Sequence, residues 1–325
     1  MIEATGLRKS FRVGRGRGAG TVEAVRGVDF AVRRGEIVGF LGPNGAGKST
    51  TLRMLATLLR PSGGEATIAG VDLRRSPAEV RRRIGFVAQA SGTYDDSTAR
   101  RDLVLQARLH GLAKSVAQEL AVAAIRAFQL DDFADRKIRT YSGGQRRRLD
   151  VALGVIHSPR VMFLDEPTAG LDPPSRARMW QEVRRLRDEG MTIFLTTHYL
   201  DEADSLCDRV SIIDAGLIVA EGTPSDLKRE ISGDVVSVDL AAPALADPAG
   251  GDLPAATKLL AEAPYVRAAE PVDGVLRLYV DSAATAVPQI MRALYDRGIE
   301  PAAIETRRPS LDDVFLAKTG RSLEE

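Results

Sequence analysis

The chain has few of the features that mark secreted or membrane-spanning proteins. It contains one cysteine, Cys207, so an intrachain disulfide cannot form, and chains of this size without disulfides are typical of a reducing compartment. No stretch approaches the ~20 apolar residues that a membrane helix needs, and the first residues contain no apolar run of the kind found in secretory signals. We therefore expect a soluble protein that reaches a membrane only through a partner, with Cys207 packed as a small apolar side chain.

An excess of charge of one sign is also missing. The 45 basic and 44 acidic residues give a formal net charge of +1. Proteins that bind nucleic acid or anionic lipid normally have a strong basic excess, so no nucleic-acid partner is expected. Two arginine runs, 81–83 and 146–148, are interpreted as solvated faces of helices. No internal repeat of roughly 20–50 residues occurs, which excludes a tandem pair of similar units.

The chain does contain a clear alternation of short apolar runs with longer amphipathic stretches up to about residue 222. This alternation is typical of βαβ units and a largely parallel sheet. The runs predicted to be buried strands are residues 36–41, 161–164 and 192–196. Between the last two, Met179, Val183 and Leu186 recur at helical spacing, which predicts a helix that covers the sheet.

From about residue 223 the pattern changes to that of a smaller unit. The predicted elements are a strand at 234–240, a helix near 253–263, a hairpin across 266–280 that turns at Asp273 and Gly274, a helix at 283–296 and a strand at 301–306. The order β-α-β-β-α-β is the ferredoxin-like pattern. We expect two domains, 1–222 and 223–325, the first an α/β nucleotide-binding core with a helical subdomain and the second a small α+β domain.

A glycine-rich segment between a predicted strand and a predicted helix fits the pattern G-x-x-x-x-G-K-[ST]. Its glycines allow backbone N–H groups to point at a polyphosphate, and the following helix directs its positive dipole end to the same anion. A chance match is the alternative, and the strand and helix on either side argue against it. Lys48 is expected to bind the β- and γ-phosphates and Ser49 to bind Mg²⁺. The predicted ATP-binding residues here are Gly42, Pro43, Asn44, Gly45, Ala46, Gly47, Lys48, Ser49 and Thr50.

Two carboxylates end the apolar run at 161–164. Asp165, at the carboxyl end of a buried strand, is placed to hold Mg²⁺. Glu166 follows directly and is predicted to polarise a water molecule in line with the γ-phosphate. The alternative is that the two acids only cap the turn at Pro167.

A second glycine-containing helix start follows Tyr141. Ser142 is expected to cap this helix and, with Gly143, Gly144 and Gln145, to form another anion-binding helix N-terminus. One chain does not need two such sites for one ATP, so Ser142 is expected to complete the site of a second copy arranged head to tail. In this motif the sequence resembles the ABC ATPase family, whose signature is usually LSGGQ, with Tyr141 in place of the first leucine.

The resemblance covers about residues 1–222 and implies further site residues. Gln89 resembles the glutamine that reaches Mg²⁺ and the attacking water, and His198 the histidine that contacts the γ-phosphate. Asp172, in the sequence AGLD, matches the loop that crosses the dimer interface beside ATP. Phe11 matches the aromatic residue on which adenine stacks. A structural role for His198 and a core position for Phe11 are the alternatives.

The segment from Pro309 to Leu316, PSLDDVFL, resembles the closing motif of the daunorubicin/doxorubicin-resistance type of exporter ATPases. Those subunits pair with a separate multi-span membrane permease. The resemblance implies a homodimer at the cytoplasmic face of the membrane that uses ATP and Mg²⁺ to export a hydrophobic drug or antibiotic. A lipid, polysaccharide or ion remains an alternative cargo. Apolar positions in the segment 89–140 are expected to contact the permease: Leu103, Leu105 and Leu109.

Two other functions are less well supported by the sequence. A non-transport ABC ATPase of DNA repair or translation would have long coiled coils or a second core, and neither pattern is present. A tail domain that binds a small regulatory ligand is supported only by analogy of fold. We expect the tail to stabilise the dimer or to regulate it.

Overall fold

The structure is a computed structural model of the 325-residue chain, and it describes residues 1–13, 20–230, 233–240, 252–272 and 274–320. The chain forms two compact units, Met1–Pro224 and Ser225–Ser322. Among the described residues, no helix combines the length and the apolar character needed to cross a membrane.

The first unit contains two sheets and the helices that pack on them. Its strands are β1 (Ile2–Val13), β2 (Gly20–Val32), β3 (Ile37–Leu41), β4 (Gly63–Ile68), β5 (Val71–Asp72), β6 (Ile84–Val87), β7 (Val161–Asp165), β8 (Thr192–Thr197), β9 (Arg209–Asp214) and β10 (Leu217–Gly222). Its helices are α1 (Lys48–Leu55), α2 (Pro77–Arg83), α3 (Ala99–Leu109), α4 (Lys114–Ala127), α5 (Gly143–Val155), α6 (Pro173–Asp188) and α7 (Leu200–Leu206). The predicted strands at 36–41, 161–164 and 192–196 are confirmed as β3, β7 and β8.

The larger sheet has the strand order β10-β9-β3-β8-β7-β6, and all pairs except β10 with β9 are parallel. The carboxyl ends of β3, β7 and β8 meet at one edge, where Leu41 pairs with Thr197 and Asp165 pairs with Thr196. In open parallel sheets this edge is where ligands bind. The smaller sheet is antiparallel, with the order β2-β1-β4-β5.

Aromatic side chains join the two sheets in the core. Phe40 of β3 lies with its ring centroid 4.7 Å from that of Phe194 on β8 and 5.0 Å from that of Phe30 on β2. These rings are buried, and burial of each contributes roughly 1.5–3 kcal/mol. Cys207 is also buried, as predicted, and its Sγ lies 2.5 Å from where a Cβ on Gly39 would be, so β3 requires glycine there.

The second unit contains most of α8 (Pro224–Glu230) and an antiparallel sheet in the order β12-β13-β11-β14. Its other elements are β11 (Asp234–Leu240), α9 (Asp252–Ala261), β12 (Val266–Val272), β13 (Val275–Val280), α10 (Ala283–Tyr295), β14 (Pro301–Arg307) and α11 (Leu311–Thr319). The predicted β-α-β-β-α-β order is confirmed. At the hairpin turn, Gly274 has a φ of 81°, while Asp273 lies outside the described residues.

Both faces of this sheet are covered by helices. On one face, Leu276, Leu278 and Val280 form a core with Ile290 of α10 and Leu260 of α9. The opposite face is covered by α11, which the sequence analysis left unassigned.

The contacts of α11 depend on Asp313, which is fully buried. Its carboxylate accepts hydrogen bonds from the Tyr279 hydroxyl at 3.2 Å, from Arg307 Nη2 at 2.7 Å and from the Ser310 backbone N–H at 2.7 Å. Ser310 in turn caps α11 by accepting from the backbone N–H of Asp313. The segment PSLDDVFL is therefore a capped helix whose acidic residue binds the sheet.

Candidate nucleotide-binding site

The predicted loop residues lie together between β3 and the first turn of α1: Gly42, Pro43, Asn44, Gly45, Ala46, Gly47, Lys48, Ser49 and Thr50. The backbone here leaves no room for side chains at two positions. A Cβ on Gly42 would lie 2.1 Å from Ile213 O, and a Cβ on Gly47, whose φ is 104°, would lie 2.4 Å from Ala24 O. The loop thus approaches two other segments closely, and glycine is needed to keep it there.

The side chain of Lys48 is buried, with 4% of its surface exposed. Its Nζ donates hydrogen bonds to Gly42 O at 2.7 Å and to Pro43 O at 3.0 Å. Burial lowers the pKa of Lys48, while the nearby charges of Glu166 and Asp165 act in the opposite direction. A cation with little water around it, placed over a loop at a helix start, is suited to bind a phosphate group.

Asp165 ends β7 with a fully buried carboxylate. Its Oδ1 accepts hydrogen bonds from Ser49 Oγ and Thr196 Oγ1, both at 2.7 Å. Its Oδ2 is buried and has no hydrogen bond, although Arg53 Nη2 lies 3.6 Å away. A carboxylate oxygen that accepts no hydrogen bond, next to a serine hydroxyl, is the donor set that Mg²⁺ uses in nucleotide sites. These residues therefore fit a Mg²⁺ ion.

Glu166 meets residues from two other segments. Its Oε2 accepts a hydrogen bond from Gln89 Nε2 at 2.8 Å, and its Oε1 lies 3.3 Å from His198 Nδ1. The backbone of Glu166 is left-handed, with a φ of 46°, a conformation that few non-glycine residues adopt. The N–H of Glu166 donates to Thr196 O and Thr196 Oγ1, each at 3.1 Å. The three residues predicted to be catalytic are thus brought together.

The predicted signature residues form one turn at the start of α5: Ser142, Gly143, Gly144 and Gln145. Ser142 caps the helix: its Oγ accepts from Gln145 N at 3.2 Å, and its N–H donates to Gln145 Oε1 at 2.9 Å. A Cβ on Gly144 would lie 2.7 Å from Ser175 Oγ, so the turn rests against the first turn of α6, where Asp172 is the N-cap residue. In the described chain, no hydrogen bond joins Ser142 to the loop 42–49.

Phe11 lies on β1 opposite Val22, with 37% of its surface exposed. Its ring is accessible to a flat ligand, and Lys9 Nζ lies 5.1 Å from the ring centroid. Phe11 is therefore outside the core.

The interpretation of the arginine run 146–148 as a solvated face was wrong for its middle member. Arg147 is buried, and its guanidinium donates to backbone carbonyl oxygens around the site, including that of Glu166 at 3.2 Å. The charge run resembled a surface, but Arg147 stands four positions before the buried Val151 on α5. This four-residue spacing was the sequence signal that Arg147 lies on the buried side of α5. The sequence analysis also did not identify Thr196, whose hydroxyl forms hydrogen bonds with both Asp165 and Glu166.

Comparison with known proteins agrees with this geometry. The model of the ABC transporter family matches residues 25–169, and the model of the C-terminal domain of DrrA1-3-like ATP-binding proteins matches residues 222–319. The daunorubicin resistance ATP-binding protein DrrA2 of Streptomyces coeruleorubidus is 43% identical over 306 residues, which cover 94% of this chain and 93% of that protein. The chain belongs to the ABC transporter ATP-binding proteins.

A further relative and a solved structure also resemble this ABC ATPase. The doxorubicin resistance ATP-binding protein DrrA of Mycobacterium tuberculosis is 42% identical over 326 residues, which cover 98% of this chain and 93% of that protein. A solved dimeric structure of the ATP-binding cassette MJ0796, in a post-hydrolysis state with ADP and Pi, matches with a TM-score of 0.63 and 25% identity over 69% of this chain and 98% of that one. The predicted fold class, the ATPase activity and the resemblance of the tail are confirmed.

Proposed function

We propose that this ABC ATPase is the ATP-hydrolysing subunit of an exporter that removes a hydrophobic drug or antibiotic through a separate membrane permease. The proposal of ATP hydrolysis rests on one observation: Glu166 contacts both Gln89 and His198 at the edge of the larger sheet. The export part is supported by relatives named for daunorubicin and doxorubicin resistance that match nearly the whole chain.

Each residue of the site has a proposed role in hydrolysis. The N–H groups of the loop 42–49 and Lys48 bind the triphosphate. Glu166 takes the proton from water while the water oxygen bonds to the γ-phosphorus and the bond from that phosphorus to its bridging oxygen breaks, releasing ADP and phosphate. Gln89 orients Glu166 through the 2.8 Å hydrogen bond, and His198 contacts the γ-phosphate.

Three residues would hold Mg²⁺ beside the phosphates: Ser49, Gln89 and Asp165. When bound, Mg²⁺ would neutralise charge on the β- and γ-phosphate oxygens. Thr196 and Ser49 hold Asp165 Oδ1 by hydrogen bonds of 2.7 Å, which would leave Oδ2 as the carboxylate oxygen available to the ion. Phe11 is proposed to stack on the adenine.

We place the second half of each ATP site on a second copy of the chain. Ser142 is exposed at the start of a 13-residue helix, and among the described residues it makes no hydrogen bond with the loop 42–49 of its own chain. A head-to-tail homodimer brings this helix start and Asp172 of one copy to the γ-phosphate bound by the other. The ATP-binding cassette MJ0796, whose solved structure is dimeric, supports the proposal of a dimer.

The contact with the permease is proposed on the apolar surface of α3 and the segment before it. Tyr94, Leu105 and Leu109 are 72%, 48% and 73% exposed, whereas Leu103 is fully buried, so the expectation that Leu103 takes part was wrong. A permease bound to this surface would hold the ATPase at the cytoplasmic face of the membrane, which is the location we propose. Leu105→Asp with Leu109→Asp should preserve ATP binding and abolish transport, and unchanged transport would exclude the surface.

For the second unit we propose a role in stabilising or regulating the dimer, with the domain division near residue 222. A chain that ends at residue 222 should still bind ATP but should dimerise or transport less well. Full dimerisation, transport and regulation by this shortened chain would remove the proposed role.

The central test is Glu166→Gln, which preserves shape and removes the base. We expect hydrolysis to slow about 10²–10⁴-fold with little change in ATP affinity, and gel filtration with ATP and Mg²⁺ to show a dimer. Glu189→Gln is the matched control, because Glu189 is on the surface at the end of α6. A monomer in the Glu166→Gln variant would contradict the composite site. Cells that express wild type with the permease should accumulate less drug than cells with Glu166→Gln.

A further inference from the structure

The helix that begins at the signature turn also reaches the reacting residues of its own subunit. Arg147 of α5 is 7% exposed. Its guanidinium donates to four backbone carbonyl oxygens: Ala88 O at 2.6 Å, Pro167 O at 2.7 Å, Asp165 O at 3.1 Å and Glu166 O at 3.2 Å. These acceptors belong to the segments that carry Gln89 and Glu166.

The placement of Arg147 is unusual for a buried cation. The oxygen of its nearest carboxylate, Asp150 Oδ2, lies 4.0 Å away, so carbonyl groups rather than an acid satisfy the guanidinium. Burial lowers the pKa of Arg147, against the opposing effect of Asp150. Taking a cation out of water is costly unless its N–H groups are bonded. Such an arrangement holds several backbone segments at fixed positions.

At Glu166 this fixation acts on a strained backbone. A φ of 46° in a non-glycine residue persists only when the surroundings determine it. Thr196 holds the N–H of Glu166, and Arg147 holds its carbonyl oxygen. The peptide groups on both sides of the Glu166 Cα are therefore held by hydrogen bonds. The one on the carboxyl side is held by Arg147 of α5.

At Gln89 the same helix holds the chain on both sides. Arg147 binds the carbonyl oxygen of Ala88, and Asp150 Oδ1 accepts a hydrogen bond of 2.8 Å from Ser91 Oγ. A shift of α5 therefore shifts Gln89 and Glu166 together, the two residues joined by their own hydrogen bond.

We propose that Arg147 is a positioning residue that couples the two ATP sites of the dimer. The inference rests on the composite site proposed above. The Ser142 turn of α5 contacts the nucleotide held by the partner, and Arg147 on the same helix fixes Glu166 and Gln89 at the subunit's own nucleotide. Binding of ATP at one site thereby orders the base at the other.

The test replaces Arg147 by lysine, which retains the positive charge but cannot bond several carbonyl groups as a planar fork. Arg146→Lys is the matched control, since Arg146 is its neighbour on α5 and pairs with Asp95 at 2.6 Å on the surface. The measurements on the full chain are kcat, KM and the Hill coefficient of ATP hydrolysis. For Arg147→Lys we expect kcat to fall about 10- to 100-fold, KM to change less than about threefold, and the Hill coefficient to fall towards about 1, while Arg146→Lys behaves as wild type.

A double variant with Glu166→Gln distinguishes a loss of positioning at the ATP site from a general loss of folding. The Arg147→Lys, Glu166→Gln double variant should bind ATP and form the dimer as Glu166→Gln does, which shows that the fold and the interface are intact. Loss of ATP binding in the double variant, an unchanged kcat in Arg147→Lys, or a Hill coefficient equal to that of Arg146→Lys overturns the coupling role. If Glu166→Gln alone stays monomeric, the composite site itself is wrong, and the inference is overturned with it.

Discussion

Lys48 Nζ donates a hydrogen bond of 2.7 Å to the carbonyl oxygen of Gly42, so its ammonium group folds back over the loop that carries it. The cation is thereby held at the mouth of the loop, with Asp165 and Glu166 close enough to affect its pKa. A phosphate group that enters the loop would meet a positive charge already in position.

Lys48→Ala should weaken ATP binding about 10- to 100-fold, because charge-assisted hydrogen bonds to the phosphates are lost, each worth roughly 1.5–3 kcal/mol. Equilibrium titration with a fluorescent ATP analogue measures the change. Lys114→Ala, an exposed lysine at the start of α4, is the control. Equal affinity in the two variants would show that Lys48 does not contact the nucleotide.

Ser142→Ala should have two separable effects. Loss of the helix cap should reduce the free energy of unfolding by about 1 kcal/mol, and loss of the hydroxyl at the partner's nucleotide should weaken ATP-dependent dimerisation of the Glu166→Gln variant. Thr98→Ala is the matched control, because the Thr98 side chain also caps a helix, α3, by accepting a hydrogen bond from Arg101 N. Both variants should melt earlier, and only Ser142→Ala should dimerise poorly. Equal dimerisation would assign Ser142 a capping role alone.

Asp313→Asn should loosen α11 from its sheet. Breaking the bonds of this buried carboxylate with Arg307, Tyr279 and Ser310 should cost about 2 kcal/mol. Hydrogen exchange in residues 311–319 of the full chain reports the loss. Asp312→Asn is the adjacent control, whose carboxylate lies 3.4 Å from Arg277 Nη1. Equal protection in the two variants would contradict the central role of Asp313.

The effect of Asp313 should depend on pH. Burial alone would raise its pKa, but Arg307 and Ser310 outweigh burial and hold the pKa below its ordinary value. Asp313 therefore stabilises the second unit fully above its unfolded pKa of about 3.9, and this contribution is lost as the pH falls from there through the folded pKa. The difference in exchange between wild type and Asp313→Asn should shrink below about pH 4. A constant difference would be evidence against the linkage.

His157 should make the first unit sensitive to mild acid. Its ring stacks on that of His110, with centroids 3.6 Å apart, and burial, aided by His110, lowers its pKa from 6.5 to about 4. The unfolded chain binds the proton first, so stability should be lost as the pH falls from about 6.5 to about 4. His157→Gln should reduce this loss by on the order of 1 kcal/mol, in thermal unfolding measured across that range. An identical pH profile for both proteins would contradict the assignment.

Much of the site could be read from the sequence because parallel strands end at one edge. Gln89, Asp165 and His198 each follow a short apolar run. The structure brings Asp165 to Ser49 of the loop 42–49, and it brings Gln89 and His198 to Glu166, the neighbour of Asp165. Their chemical roles stay predictions until the variants are measured. The domain division near residue 222 also stays a prediction.

Other features depended on contacts that no local pattern encodes. The acceptors of Arg147 are backbone carbonyl groups far away in the sequence, and a run of three arginines carries no sign of them. The helix α11 is too short for a clear apolar period, so its place on the sheet was not visible. On α3, Leu103 and Ala107 share the buried side while Leu105 and Leu109 face outward. The spacing separates these two sides but does not say which one faces the core.

The sheet of the second unit has a practical consequence for engineering chimaeras between exporters. A graft that stops after β14 would remove the helix that carries Asp313, leaving the Tyr279 hydroxyl and the Arg307 guanidinium without their shared acceptor. Exchange of this module between subunits should therefore extend through Thr319, since the last helix is as much a part of its interior as the strands.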